Sequence, residues 1–164
     1  MTSLRRGAVL ISVGGALAVV AYAVWGAVQI TILTPLATAP GLTLREIREE
    51  MAAVGESPSD AAVVIFLTLG VVFAAVVALI VIRARVQAGV AAVLFLALLM
   101  LGGPALFVAS FGPGMALADT FGVAGGVSAP GVAPLYAVSA LAGVGCIVLG
   151  VALAVRSRPI TVTI

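Results

Sequence analysis

Few residues in this chain could do acid–base or nucleophilic chemistry. They are six acids (Glu46, Glu49, Glu50, Glu56, Asp60 and Asp119), one cysteine (Cys146) and eight basic residues, all arginine, with no histidine. A lone cysteine provides no disulfide partner, no paired thiols for redox exchange and no thiolate metal cluster. Without histidine, zinc, haem and copper sites lose their commonest ligand. No Ser/His/Asp set, phosphate loop or pair of intramembrane carboxylates is present. The chain therefore reads as non-enzymatic and without a cofactor. The one remaining route to catalysis would set the acids Glu46, Glu49, Glu50, Asp60 and Asp119 against lipid headgroups. Charges on a short solvent-facing helix are more often simply solvated.

The elements that carry these residues follow from composition. The 164 residues are 63% hydrophobic and 9% charged, with a mean hydropathy of +1.35. A soluble domain carries about 25% charged residues, so this chain cannot present a wetted surface on all sides. Runs of about 20 apolar residues mark transmembrane helices. Four are expected, at about 7–30, 61–82, 88–110 and 134–155, none containing Asp, Glu, Lys or Arg. The fold class is thus an all-α integral membrane protein, a single bundle of four transmembrane helices.

Arginine placement orients it. Arg5 and Arg6 precede the first span, Arg83 and Arg85 fill the turn between the second and third, and Arg156 and Arg158 follow the fourth. With four spans all three pairs fall on one side, which the positive-inside rule makes cytoplasmic. Both termini are then cytoplasmic in a cell inner membrane. All six acids, with Arg45 and Arg48, lie on the outer face. The Arg-only basic set, with abundant Ala, Val and Gly, is a compositional hint of a bacterial source. The net charge of +2 lacks any basic run suited to nucleic acid. A cleaved signal peptide competes with a retained first span, because "ATA" at 37–39 resembles a cleavage site. The apolar run is too long for that, and Pro40 would follow the cut.

The segment after the first span predicts a short amphipathic outer helix, about 44–54. Thr43 and Glu46 form a capping-box pattern, Gly55 supplies a C-terminal cap, and Pro58 prevents continuation. Leu44, Ile47, Met51 and Val54 recur at helical spacing as one apolar stripe. That stripe either rests on the bundle or the membrane interface, or docks a partner.

The stretch 111–133, "FGPGMALADTFGVAGGVSAPGVA", is expected to be an apolar outer segment, with Gly112, Pro113 and Gly114 ending the third helix. The favoured reading of 111–131 is an interfacial cap with Asp119 facing water. Its rival is a re-entrant hairpin with Asp119 at the tip, which requires buried partners for the backbone. Pro104, after Gly102 and Gly103, predicts a kink within the third span.

Association of helices in lipid depends on close backbone approach. The fourth span offers a ladder of small residues, Ala142, Cys146, Gly150 and Ala154, flanked by Ser139 and Gly143. Gly150→Leu is therefore expected to disturb packing more than Leu149→Ile. A weaker row, Ala8, Ser12 and Ala16, occupies the first span. Trp25, Gln29 and Tyr136 read as interfacial anchors. Coupled ion transporters usually retain an ionisable group in the membrane, and none is found within these spans. The expected partners are the bilayer and other membrane subunits or further copies of the chain. The leading function is an accessory or scaffold subunit. The alternative is an oligomeric small-solute channel or transporter whose outer vestibule is lined by the segment around Asp119.

Overall fold

The computed structural model describes residues 3–57, 59–123, 129 and 131–156. Pro58 and Arg158, used above as a break and a charge, lie outside the described residues, as do Gly125, Gly126 and Pro130 of the 111–133 stretch. Every regular element among the described residues is helical. Four helices are long and apolar enough to cross a membrane, which is consistent with a multi-pass membrane protein.

Helix α1 (Ser3–Val28) does not stop at Ile30. It widens into a π-helical segment, Gln29–Leu33, in which the Thr34 N–H donates to the Gln29 carbonyl five residues back, and then continues as α2 (Thr34–Thr38). Pro35 is the physical reason for the widening. It has no N–H to donate, and its ring would strike the carbonyl four residues earlier. A local π turn keeps the neighbouring backbone groups paired instead of breaking the helix.

Helix α3 (Leu44–Ala53) begins on the expected capping box, and α4 (Asp60–Arg83) begins on Ser59, whose hydroxyl accepts the Ala62 N–H at 3.1 Å. Asp60 in the first turn of α4 and Arg83 in the last both oppose the helix dipole favourably. Helix α5 (Ala88–Phe121) corrects the sequence expectation most strongly. It passes through Pro104 and through Gly112-Pro113-Gly114 and ends only at Gly122, whose φ is 64°. Each proline removes one helical hydrogen bond and each glycine costs about 1 kcal/mol. Stopping in an apolar setting would strand several carbonyls and amides at once, at a greater cost. Burial of Ala116 and Leu117 further along the same helix repays the continuation. Helix α6 (Val132–Arg156) spans the stretch predicted for the fourth crossing, two residues longer at its start.

The core is a three-helix stack with one outrigger. Helices α1, α4 and α5 pack mutually, whereas α6 lies along α5 and touches α1 only slightly. Three layers fill the trio. At one end Ala8, Val81 and Ala91 meet. In the middle Val19, Ala74 and Phe95 meet. Towards α3, Tyr22, Ile30, Val63, Leu67, Leu106 and Ala109 meet, joined by Leu135 from α6. The arginines Arg6, Arg83, Arg85 and Arg156 belong to the end of the first layer, and α3 to the opposite end. The remaining faces of α1, α4 and α6 expose large aliphatic side chains, among them Leu10, Ile65 and Ile147, as lipid contact requires.

Candidate functional site

Chemistry-bearing groups gather in two places: the α3 end, and a polar cluster where α1, α5 and α6 converge.

At the α3 end, the Thr43 N–H and hydroxyl each donate to Glu46 Oε2 at 2.7 Å, and Thr43 Oγ1 in turn faces the Glu46 N–H at 3.3 Å. These bonds to the ionised carboxylate hold Glu46 below its ordinary value of 4.5, the backbone bond being the larger cause. A depressed folded-state pKa stabilises the cap above the unfolded value and loses that contribution as pH falls through the folded one. In the intact protein, the carboxylate carbon resonance of Glu46 should titrate below 4.5. Thr43→Val, which removes the hydroxyl, should raise that midpoint; an unchanged midpoint would contradict the cap.

The stripe of α3 is occupied. Ile47 and Met51 are 1% and 2% exposed, packed with Ala39, Ala116 and Leu117, with Phe121 at the edge. Leu44 is half-buried and Val54 is exposed. Thus the C-terminal third of α5, predicted as irregular, is the seat on which α3 rests. The opposite face of α3 carries an Arg45–Glu49 ion pair at 3.2 Å, while Arg48 pairs with Asp60 at the start of α4. Asp119 lies exposed near the end of α5, on a helix instead of a hairpin tip.

The ladder on α6 divides in two. Ser139, Ala142 and Gly143 are buried, and Cys146 is half-buried with its thiol 3.8 Å from the Val93 carbonyl. A Cβ on Gly143 would sit 3.3 Å from Met100 Cγ, whereas one on Gly150 would meet nothing within 4 Å. Ala154 is exposed. Contact with α5 at the far end is made instead by Leu153, whose Cδ2 would lie 2.9 Å from a Cβ on Gly89. Gly150→Leu should therefore leave the thermal midpoint nearly unchanged, within about 0.5 kcal/mol. Gly143→Leu should cost about 1–3 kcal/mol by overpacking. Equal midpoints for the two variants would overturn this division.

Inside the bundle, the buried polar residues among those described are Ser12, Gln29 and Ser139. Ser12 bonds its own helix at the Ala8 carbonyl, 2.8 Å away. Ser139 Oγ lies 2.9 Å from the Leu99 carbonyl and 3.0 Å from the Tyr22 hydroxyl. One proton per hydroxyl fits a relay in which Tyr22 donates to Ser139 and Ser139 donates to Leu99. This ties all three helices α1, α5 and α6 at one point. Gln29, expected as an interfacial anchor, is 1% exposed. Its Nε2 is 3.4 Å from Thr34 Oγ1, and its Oε1 has no partner. The spacing of Gln29 from Pro35, which generates the π turn, is the sequence signal that could have identified it.

Among the described residues, cavities open beside this cluster and at the α3 end. One of about 250 Å³ lies between the π segment, α5 and α6, with Gln29, Thr34, Ser110 and Tyr136 as its polar wall. A shallower groove of about 560 Å³ runs along α5 and α6 past Pro104. A third, of about 420 Å³, lies between α4 and α5 beside Glu56 and Pro113. Asp119 lines none of them. Among the described residues no cluster of acids and thiols could hold a metal ion.

Fold and site together define an all-helical bundle of the membrane-protein type, with a largely apolar cavity carrying a few hydroxyls between the π segment, α5 and α6. Comparison with protein-family models, curated proteins and solved structures finds no match to this chain.

Proposed function

We propose that this chain is an accessory or scaffold subunit of an inner membrane, without catalytic chemistry, acting through helix–helix contacts and its outer segments. In this reading both termini are cytoplasmic, since Arg6, Arg83, Arg85 and Arg156 occupy the end opposite α3. The observation that carries the reading is the filling of the α1/α4/α5 trio by apolar layers from end to end. The fourth helix stands outside that trio, so among the described residues the helices enclose no polar route within one copy. What they offer is side surface: α6 presents Leu141, Ile147 and Val151 at 71%, 67% and 59% exposure. An outrigger bound along one side has an open side for another helix.

A photo-crosslinking residue at Ile147, compared with one at Leu10 on α1, tests this in native membranes. A protein adduct of defined mass at position 147 is expected. Lipid adducts alone at both positions would sink the subunit reading. Purified protein in liposomes should pass no more small solute than empty vesicles, and Asp119→Asn should change nothing; solute flux abolished by that substitution would favour the channel alternative.

A further inference from the structure

We propose that the Gln29 cavity and the α5–α6 groove form one binding site for a neutral amphiphile with a hydroxyl-bearing head and a single apolar tail.

The head end is built around an unmet need. Gln29 is 1% exposed, and its Oε1 accepts no hydrogen bond. A buried carbonyl oxygen without a donor loses its full hydration. Oε1 rests against Gly131, and the Gln29 side chain borders a cavity of about 250 Å³, far above the roughly 15 Å³ one water needs, so a single trapped water does not account for the space. The groups beside it are hydroxyls: Thr34, Ser110 and Tyr136. Ser110 already donates to the Phe107 carbonyl at 3.0 Å, leaving its oxygen to accept. Turning the Gln29 amide from Gly131 towards the cavity offers its oxygen to a ligand hydroxyl, which can donate to it and accept from or donate to the neighbouring hydroxyls, matching this set. Among the described residues no Asp, Glu or Arg lines the cavity or the groove. A charged head would enter without a counter-ion at a large cost, so the head is neutral.

The tail end adjoins it. Phe107 and Tyr136 wall both the cavity and the groove. From there the groove follows Pro104, Gly103 and Met100 on α5 and Ala140 and Gly143 on α6. Seven residues of helix from Tyr136 to Gly143 give about 10 Å of apolar track. Gly103 against Ser139 and Gly143 against Met100 bring α5 and α6 close together, and the small exposed Ala140 leaves the groove open to an alkyl chain. The π turn serves this site directly, because it sets Gln29 and Thr34 on the same wall, five residues apart.

Trp25, the chain's one tryptophan, reports on the site. Its indole N–H lies 3.4 Å from the Gly131 carbonyl, and a Cβ added to Gly131 would overlap Gln29 Oε1. The probe is a monoacylglycerol with a dibrominated chain, titrated into the protein in nanodiscs while Trp25 fluorescence is followed. Saturable quenching is expected, with affinity at least tenfold weaker in Gln29→Met. Ala140→Phe, which fills the groove from an exposed position and leaves the core intact, should weaken it similarly and decides the matter if Gln29→Met does not fold. Equal quenching in all three proteins would overturn the site. A brominated alkane binding as tightly as the monoacylglycerol would remove the role of the head. Glycerol displacing the probe as effectively as unbrominated monoacylglycerol would reassign the ligand to a soluble polyol and overturn the amphiphile.

Discussion

Gly15→Ala should destabilise this protein by about 1–3 kcal/mol, while Gly14→Ala, one residue earlier, should be neutral or slightly stabilising. The contrast rests on what each added methyl would meet. At Gly15 it would lie 2.7 Å from Phe95 Cβ and closer still to its ring, whereas at Gly14 nothing stands within 4 Å. Phe95 is 3% exposed and anchors the middle layer between Val19 and Ala74, so it has nowhere to retreat. At Gly14 the methyl faces outward, and the only change is the gain of up to about 1 kcal/mol in helix propensity over glycine. Packing carries unusual weight here, because burying apolar surface from lipid returns little and helix pairing depends on close contact. Phe95→Ala alone should cost about 3–5 kcal/mol through the cavity it opens. Combined with Gly15→Ala, part of that loss should return, as coupling between touching residues predicts. Thermal midpoints followed by Trp25 fluorescence in detergent would check all four proteins. Identical midpoints for the two single glycine variants would refute the contact.

The second large effect is expected at the α3 end, where water makes the hydrophobic term available. Ile47→Asp should release α3 from α5. Ile47 is 1% exposed against Ala116 and Leu117, and full burial of such a side chain is worth about 1.5–3 kcal/mol. An unpaired carboxylate adds a desolvation cost to that loss. A change of about 3 kcal/mol shifts the docking equilibrium on the order of a hundredfold. Leu117→Cys in a Cys146→Ala background offers the readout. Its thiol should be shielded from an impermeant reagent while α3 is docked, and should label at least tenfold faster once Ile47→Asp is added. Equal labelling rates would mean that α3 does not depend on this seat.

Much of the architecture was legible in the residues. Four apolar runs of the right length, the Thr43–Glu46 box and the stripe through Ile47 and Met51 all use local rules that tertiary context rarely overturns. The misreadings came from proline and glycine. Gly112-Pro113-Gly114 signals a break where backbone can turn to water, but in α5 the helix continues because stopping leaves more groups unpaired than Pro113 does. The same logic turned Pro35 into a π turn instead of an end, and so carried Gln29 from an expected surface anchor to a buried wall. The small-residue patterns were read only by composition. Gly150 fits the ladder in sequence yet faces open space, while Gly15 was absent from the expected row and packs directly against Phe95. Which small residue meets a neighbour depends on helix rotation, and an all-round apolar span gives no moment from which to read it.

The hydroxyls also bear on the order in which the protein can be assembled. Helix α1 finds its partners in α4 and α5, which follow it in the chain, so it must wait in lipid before either arrives. During that wait Ser12 is already satisfied by the Ala8 carbonyl, and Thr31 by the Ala27 carbonyl, both at 2.8 Å. Thr68 on α4 is likewise bonded to Val64 at 2.7 Å. These hydroxyls enter the membrane prepaired, and their helices can be inserted singly without exposing them. The Ser139–Tyr22 bond is different, because it joins the first span to the last. It forms only when α6 reaches α5, and so marks the completion of assembly.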